Sequence, residues 1–510
     1  MWQFRQSRAR IPARPITTKV RDHPDIPVAM IFGLTKQVLW RPCAAPRLNQ
    51  LAWLHLGRAT NEGTSNFLSD KSASAARIAF PSSSVRIARR GYGSPQPFAK
   101  ETQVLHEMKD AVLTHRNNLI QTHFIYSSAQ NDKIGRVGES IALNELLTED
   151  NIPREALVIS ALLDEPYGQQ SLKPKERLSS DILTAHVKHI VQLLDVQVLD
   201  LLMVRLPAAI FSMPQDAATS LIRDAVTGLD ASIAENLIQG YGFAFPSTVH
   251  EVTPPQVDAF ASNVLFPALS KGCVALQLHT NIQQGRLPAA ASSPSVTWIG
   301  EAPLDIHVSV NGQLKPLHLK TTTERLRGED IAAKLKESFG FALQVEQKYM
   351  DEIFPAHEAA DIPTPDEVAW ANILAHQHAR FDNLAEWTFL REMQIQPQLE
   401  LVLKRLQVNE NTSEFAFAYS VAIRNLLRHF DASIDMIADD ENDEIFNKLR
   451  SLGVHAETIE GAALQVAQSC PVDCVLVAQS PSFAHESLPS DVLDAIHGQT
   501  NWTTTTPETE

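Results

Sequence analysis

The sequence predicts an α/β protein, a (β/α)8 TIM barrel with a long helical insertion between strands 7 and 8. Three observations lead there. Barrels of this kind run to about 250 residues as single domains, so a chain of 510 residues accommodates one barrel with additions. Short apolar, β-branched runs alternate with longer helical patterns, which is how repeated βα units around a parallel sheet read. No Gly-rich GxGxxG follows the first strand, so the usual mark of a doubly wound dinucleotide-binding sheet is missing.

The strand candidates are Ser84 to Gly93, Asn118 to Tyr126, Ala156 to Leu163, Val198 to Pro207, Val274 to His279, Val296 to Leu304 and Cys474 to Ser480. Helical spacing falls between them, over Glu101 to Thr114, Gly138 to Glu149, Ile182 to Leu194 and Asp216 to Gln239. The expected organisation is a basic tail over 1–60, a first barrel part over 61–304, a helical insertion over 305–458, the last strand and helix over 459–495, and a tail over 496–510. Within the insertion, Thr364-Pro365-Asp366-Glu367 reads as an N-cap followed by a capping box, and an apolar stripe runs behind it from Val368 to Leu390. Further stripes, one of them Leu399, Val402, Leu403 and Leu406, pack against the barrel or against a protein partner. The acidic run Asp439 to Asp443 reads as a solvated loop.

Composition narrows the classes of partner. A formal net charge of −15 argues against nucleic acid or an anionic membrane surface, since both attract basic patches. No stretch is apolar enough for membrane insertion. Four scattered cysteines, Cys43, Cys273, Cys470 and Cys474, make no disulfide framework and suit a reducing compartment. Cys470 and Cys474 read as buried thiols rather than metal ligands, and no metal site is expected.

The amino-terminal stretch differs from the rest. Residues 1–58 hold ten Lys or Arg against two Asp and no Glu, the acid-poor composition of a mitochondrial transit peptide, which implies the mitochondrial matrix; a cytoplasmic protein with a basic tail is the alternative. The segment from Met30 onward looks like a presequence by itself, so either Met1 or Met30 serves as the start.

Run by run, from about Ala75 to Leu488, the chain resembles the aldo-keto reductases. RIAFPSSSVRIARRGYGS is similar to the family's opening hairpin and first strand, NNLIQTHFIYSSAQ to N-x-I-D-T-A-x-x-Y, and LVISALL to V-I-S-T-K. LLDVQVLDLLMVRLP is similar to L-G-x-D-Y-I-D-L-Y-L-V-H-x-P, VALQLHTN to V-Q-x-P-x-N, and ALQVAQSCPVDCVLVAQSPSFAHESL to the closing strand segment.

The resemblance implies an NADP-dependent oxidoreductase acting on a small carbonyl compound, with Tyr126 as the proton donor. It also shows where the chain departs from the family. Gln121 stands at the place of the Asp that tunes the tyrosine, Leu162 at the place of the Lys, and Arg205 at the place of the His. A phenol of reference pKa about 10 is a poor acid near neutrality without that ammonium, so activity should be weak or lost. Arg205 would either hold an acidic ligand at the barrel mouth or form a buried salt bridge, for instance to Asp164; His123 would occupy the mouth if the register slips. For the cofactor, Gln277 and Asn281 match the family, while Ala244 and Phe245 replace its Ser-Asn pair, and Ser480 follows Ala478 and Gln479 where the last segment should open with Gly. Gln277 and Asn281 would otherwise satisfy strand-end backbone groups. Two functions follow: an attenuated carbonyl reductase, or a non-catalytic pseudoenzyme acting as a binding or scaffold protein.

Overall fold

The computed structural model describes residues 57–68, 75–93, 101–125, 137–164, 173–247, 251–288, 296–310, 313–321, 328–357, 362–377, 381, 384–478, 487–499 and 502. The amino-terminal basic stretch up to residue 56, Tyr126 and Ser480 lie outside the described residues.

The chain opens with helix α1 (Asn61–Phe67) and an antiparallel hairpin of β1 (Ala76–Phe80) and β2 (Ser83–Ile87). Eight parallel strands then close a barrel in the order of their appearance: β3 (Arg90–Tyr92), β4 (Leu119–Ile125), β5 (Val158–Asp164), β6 (Leu199–Arg205), β7 (Ile238–Ala244), β8 (Cys273–His279), β9 (Thr297–Glu301) and β12 (Cys474–Val477). The crossovers that parallel pairing demands are made by α2 (Glu101–Lys109), α3 (Val137–Thr148), α4 (Ser180–Leu193), α5 (Gln215–Ala234) and α6 (Pro254–Phe260). The predicted (β/α)8 barrel is therefore the observed fold.

Barrel strands are buried on both faces, which is why they read as unbroken apolar runs. Outward residues such as Ile159, Leu202 and Phe243 pack under the helices. Inward residues Leu119, Val158, Leu201, Val274, Ile299 and Cys474 meet Ile78, Phe80, Val85 and Ile87 of the hairpin, which plugs the amino-terminal end of the barrel. The sequence reading merged β2 and β3 into one strand, whereas the chain turns a corner between them at Ala88 and Arg89.

Two further corrections concern β7 and the helix before it. The helix predicted to reach Gln239 ends at Ala234, and Gln239 is the second residue of a strand that the apolar pattern did not reveal. IQGYGFA carries two glycines because its neighbours leave no room: a Cβ on Gly242 would collide with the Ala275 carbonyl and stand 2.6 Å from the Met203 sulfur.

The insertion between the seventh and eighth barrel strands begins not with a helix but with a second antiparallel hairpin, β10 (Asp305–Val310) and β11 (Gln313–His318). Then come α7 (Gly328–Lys348), α8 (Trp370–Gln377), α9 (Leu384–Leu390), α10 (Gln396–Val408) and α11 (Ser413–Ser451). The Thr364 capping box forms, with the Thr364 N–H donating to Glu367 Oε2 at 2.7 Å. The acidic run Asp439 to Asp443 is no loop: it lies inside α11, a helix of 39 residues. Asn442 within that run is buried and Ala438 and Ile445 flank it on the packed face, so the carboxylates decorate a helix that packing holds.

Tyr349, Trp387, Tyr419 and Phe430 anchor a core that belongs to the insertion alone. The second half of α11 leaves that core and packs Ala438, Ile445 and Leu449 against the β10–β11 hairpin, Ile282, α12 (Ile459–Ser469) and Ile496 of α13 (Ser490–His497), joining the insertion to the barrel. No helix among the described residues is long and apolar enough to cross a membrane.

Candidate active site at the barrel mouth

Asp164, Arg205, His279 and Glu301 are the last residues of β5, β6, β8 and β9. Strand parity turns them inward, and their position puts them at the carboxyl end of the barrel, where barrel sites lie. The site is thus a consequence of where each apolar run stops.

Arg205 is the hub. Its Nε approaches Asp164 Oδ1 at 3.3 Å and its Nη2 reaches Asp164 Oδ2 at 3.2 Å and Glu301 Oε2 at 2.9 Å. Its Nη1 donates to the Phe245 carbonyl at 2.9 Å and to Glu301 Oε1. A guanidinium has five N–H donors, and this set uses them all. Burial acts to lower the Arg205 pKa, but the charges of Asp164 and Glu301 outweigh it and hold the group even further above the neutral range. Burial likewise acts to raise the Glu301 carboxyl, and Arg205, then His279, overcome that and hold it below the usual carboxylate range. The salt bridge of Arg205 with Asp164 is present, with Glu301 as a second partner that the sequence did not point to.

Gln277 and Gln121 lie below this hub. Gln121 Nε2 donates to Gln277 Oε1 at 2.8 Å, Gln277 Nε2 returns a bond to Gln121 Oε1 at 3.0 Å, and Gln277 Nε2 also reaches Glu301 Oε2 at 2.6 Å. The two amides span the barrel from β4 to β8, both fully buried. Leu162 is fully buried in the apolar interior, so its place carries no cation.

Asn281 sits just beyond β8 and holds a turn. Its Nδ2 donates to the Asp305 carbonyl at 2.6 Å, and its Oδ1 accepts the Gln283 and Gln284 N–H groups at 2.9 and 3.0 Å. Phe245 is buried and stacks against Trp298 with ring centroids 6.5 Å apart. Of the residues that would hold a nicotinamide group, Gln277 is bonded to Gln121 and Glu301, and Asn281 to its own loop.

Two histidines complete the mouth. His123 on β4 donates its backbone N–H to Glu139 Oε2 at 2.6 Å and has its Nδ1 3.5 Å from Glu139 Oε1. His279 has its Nε2 3.6 Å from Glu301 Oε1. Glu139, His279 and Glu301 are site residues the sequence reading missed. For His279 and Glu301 a signal existed, since each is a titratable residue closing an otherwise apolar strand. Glu139 opens a helix and gave none.

Cys273, Cys470 and Cys474 are buried free thiols, and burial pushes Cys470 up to about 12. Among the described residues no group of His, Cys, Asp and Glu side chains is placed to hold a metal ion.

No family model and no curated protein matches the chain. Solved structures to which it is similar include aldo-keto reductases. One from Bacillus halodurans in its holo form shares 15% identity over 52% of this chain and 76% of that one, with a TM-score of 0.30. One from Klebsiella pneumoniae in complex with NADPH shares 12% over 45% and 68%, TM-score 0.30, and one from Brucella melitensis 13% over 45% and 71%, TM-score 0.31. At these scores the likenesses carry no argument about the site, and the barrel rests on the strand pairing itself.

Proposed function

We propose that the protein is an NADP-dependent oxidoreductase of the aldo-keto reductase type by descent, with strongly attenuated carbonyl reductase activity. The run-by-run sequence resemblance and the barrel support the descent. The attenuation rests on one observation: Gln277, which would hold the nicotinamide amide, is engaged by Gln121 and Glu301 at 2.8 and 2.6 Å. Releasing it would leave buried polar groups unpaired, at a cost of about 1–3 kcal/mol each. Tyr126 is the remaining candidate acid, and without a neighbouring Lys it is untuned. A small carbonyl compound is the expected substrate.

The second reading is a non-catalytic barrel that binds a protein through its insertion. Val408, Phe417 and Leu401, exposed at 80%, 72% and 58% on the outer sides of α10 and α11, favour it. The acid-poor amino terminus supports import into the mitochondrial matrix in either case.

Titration of a chain beginning near Thr60 with NADPH, NADP, NADH and NAD, followed by tryptophan fluorescence and calorimetry, separates the two. Micromolar binding sustains the reductase, with Tyr126→Phe as the control for carbonyl reduction. An absence of binding up to millimolar cofactor sinks it and leaves the scaffold.

A further inference from the structure

The first half of α11 leaves one side to solvent. Glu414, Phe417, Val421, Arg424 and Arg428 lie alternately three and four residues apart, the spacing that keeps side chains on one stripe of a helix, and all five are exposed. Phe415, Tyr419, Ile423, Leu426 and Phe430 take the opposite side and fill the insertion core. The stripe is apolar at its centre, where Phe417 is 72% and Val421 41% exposed, and charged towards its ends. Glu414 and Arg424, which flank the apolar pair, have no ion-pair partner among the described residues. A large aromatic side chain left in water between two unpaired opposite charges is the make-up of a contact surface.

We propose that this stripe is a homodimer interface, on which α11 of a second copy lies antiparallel about a two-fold axis midway between Phe417 and Val421. A two-fold contact is reciprocal, each residue meeting the one equally far beyond the axis. Phe417 then meets Val421 of the second copy, and Glu414 meets its Arg424, so each contact occurs twice. An apolar centre with an ion pair at either end results. The charge pattern selects this occupant over others. An acidic protein or an anionic bilayer would answer Arg424 and Arg428 but oppose Glu414, and a chain of net charge −15 is repelled by either as a whole. The amino-terminal stretch, with ten Lys or Arg against two Asp over residues 1–58, would oppose both arginines. A second copy supplies both signs at the positions where they are needed. The inference rests on the part of the second reading above that gives the insertion a protein partner, and it names that partner. One helix pair makes a contact at the small end of specific interfaces, so association is micromolar rather than tight.

Sedimentation equilibrium of the full chain, over roughly 1 to 100 µM, should show the average mass rising from 56.4 kDa toward twice that value. Phe417→Asp should abolish the rise, and circular dichroism melting checks that this variant folds. Glu414→Arg and Arg424→Glu each set like charges against one another at both ends, and each should weaken association at least about tenfold. In an equimolar mixture of these two variants opposite charges face each other again, so association should return, which also shows that both are folded. A wild-type chain that stays monomeric at the highest concentration overturns the proposal. Association unchanged in any of the three variants overturns it too, as does a mixture no stronger than its components. Monomers that sediment with phosphatidylserine vesicles would assign the stripe to a bilayer and equally overturn the dimer. A monomeric chain leaves the second reading in place for a different protein, whereas micromolar cofactor binding removes the scaffold and leaves the mass measurement as it was.

Discussion

The two ends of the barrel carry ion networks of similar make-up and opposite character. At the amino-terminal end Asp200 accepts the N–H groups of Ala59 and Ile159, each at 2.8 Å, the Gln239 amide at 2.5 Å, and Arg154 Nη1 at 2.9 Å. Side-chain exposure there is 5% for Arg154 and 0% for Asp200, and the β1–β2 hairpin seals the interior beside them. At the carboxyl end Arg205 and Asp164 keep 12% and 31%. A charge pair sealed on all sides serves the fold; the mouth pair differs in staying partly wet beside two histidines. The difference shows that a buried arginine in a barrel reveals little until its end of the barrel is known.

The sharpest way to break this contrast is Asp200→Ala. It strands a buried Arg154 and three further donors, and loss of one partner of a buried pair costs about 3–5 kcal/mol. Urea unfolding should show that full loss; a change under about 1 kcal/mol would mean the sealed network does not anchor the fold.

Glu301→Gln at the mouth should cost less, about 1–3 kcal/mol, because Arg205 keeps Asp164 and the Phe245 carbonyl. The wild-type contribution of Glu301 also has a pH sign. Its carboxyl is depressed in the folded state, so its stabilisation is present above the unfolded value of 4.5 and is lost as pH falls through the folded one. Acid unfolding midpoints of the two proteins should converge as pH drops.

A third carboxylate sharpens the comparison from outside the barrel. Glu346, 3% exposed in the insertion core, is held by the N–H groups of Ala371 at 2.6 Å and Asn372 at 3.1 Å. Burial pushes it up to about 8, the reverse of Glu301, which has a guanidinium. A raised carboxyl weakens the fold as pH climbs from 4.5 to about 8. Differential scanning calorimetry should find Glu346→Gln with a higher Tm than wild type at alkaline pH and little change near pH 5; the opposite order would show that the two N–H bonds fully solvate the charge.

Much of this molecule was legible beforehand because most barrel strands are short apolar runs. NLIQTHFI, ALVISALL, LDLLMVR and CVALQLH announce themselves, and their spacing leaves room for the crossover helices. β7 was not legible, since Gly240 and Gly242 answer to the neighbours they touch and not to any pattern along the chain. α11 was cut short in the reading because Asp439 to Asp443 looks solvated, and only packing on Ala438 and Ile445 keeps those residues helical. At the site, Arg205 and its partner Asp164 could be named from strand order. Glu301 closes an apolar strand, but its pairing with Arg205, 96 residues away, could not be named because it comes from barrel closure.

By itself, the sequence determined most of the barrel strands and the barrel, because those depend on local pattern and chain order. Tertiary structure alone decided that Gln277 and Arg205 are spent on other side chains and that His123 and His279 rise from opposite strands. Those are relations across the closed barrel, and a linear chain does not contain the distances that create them.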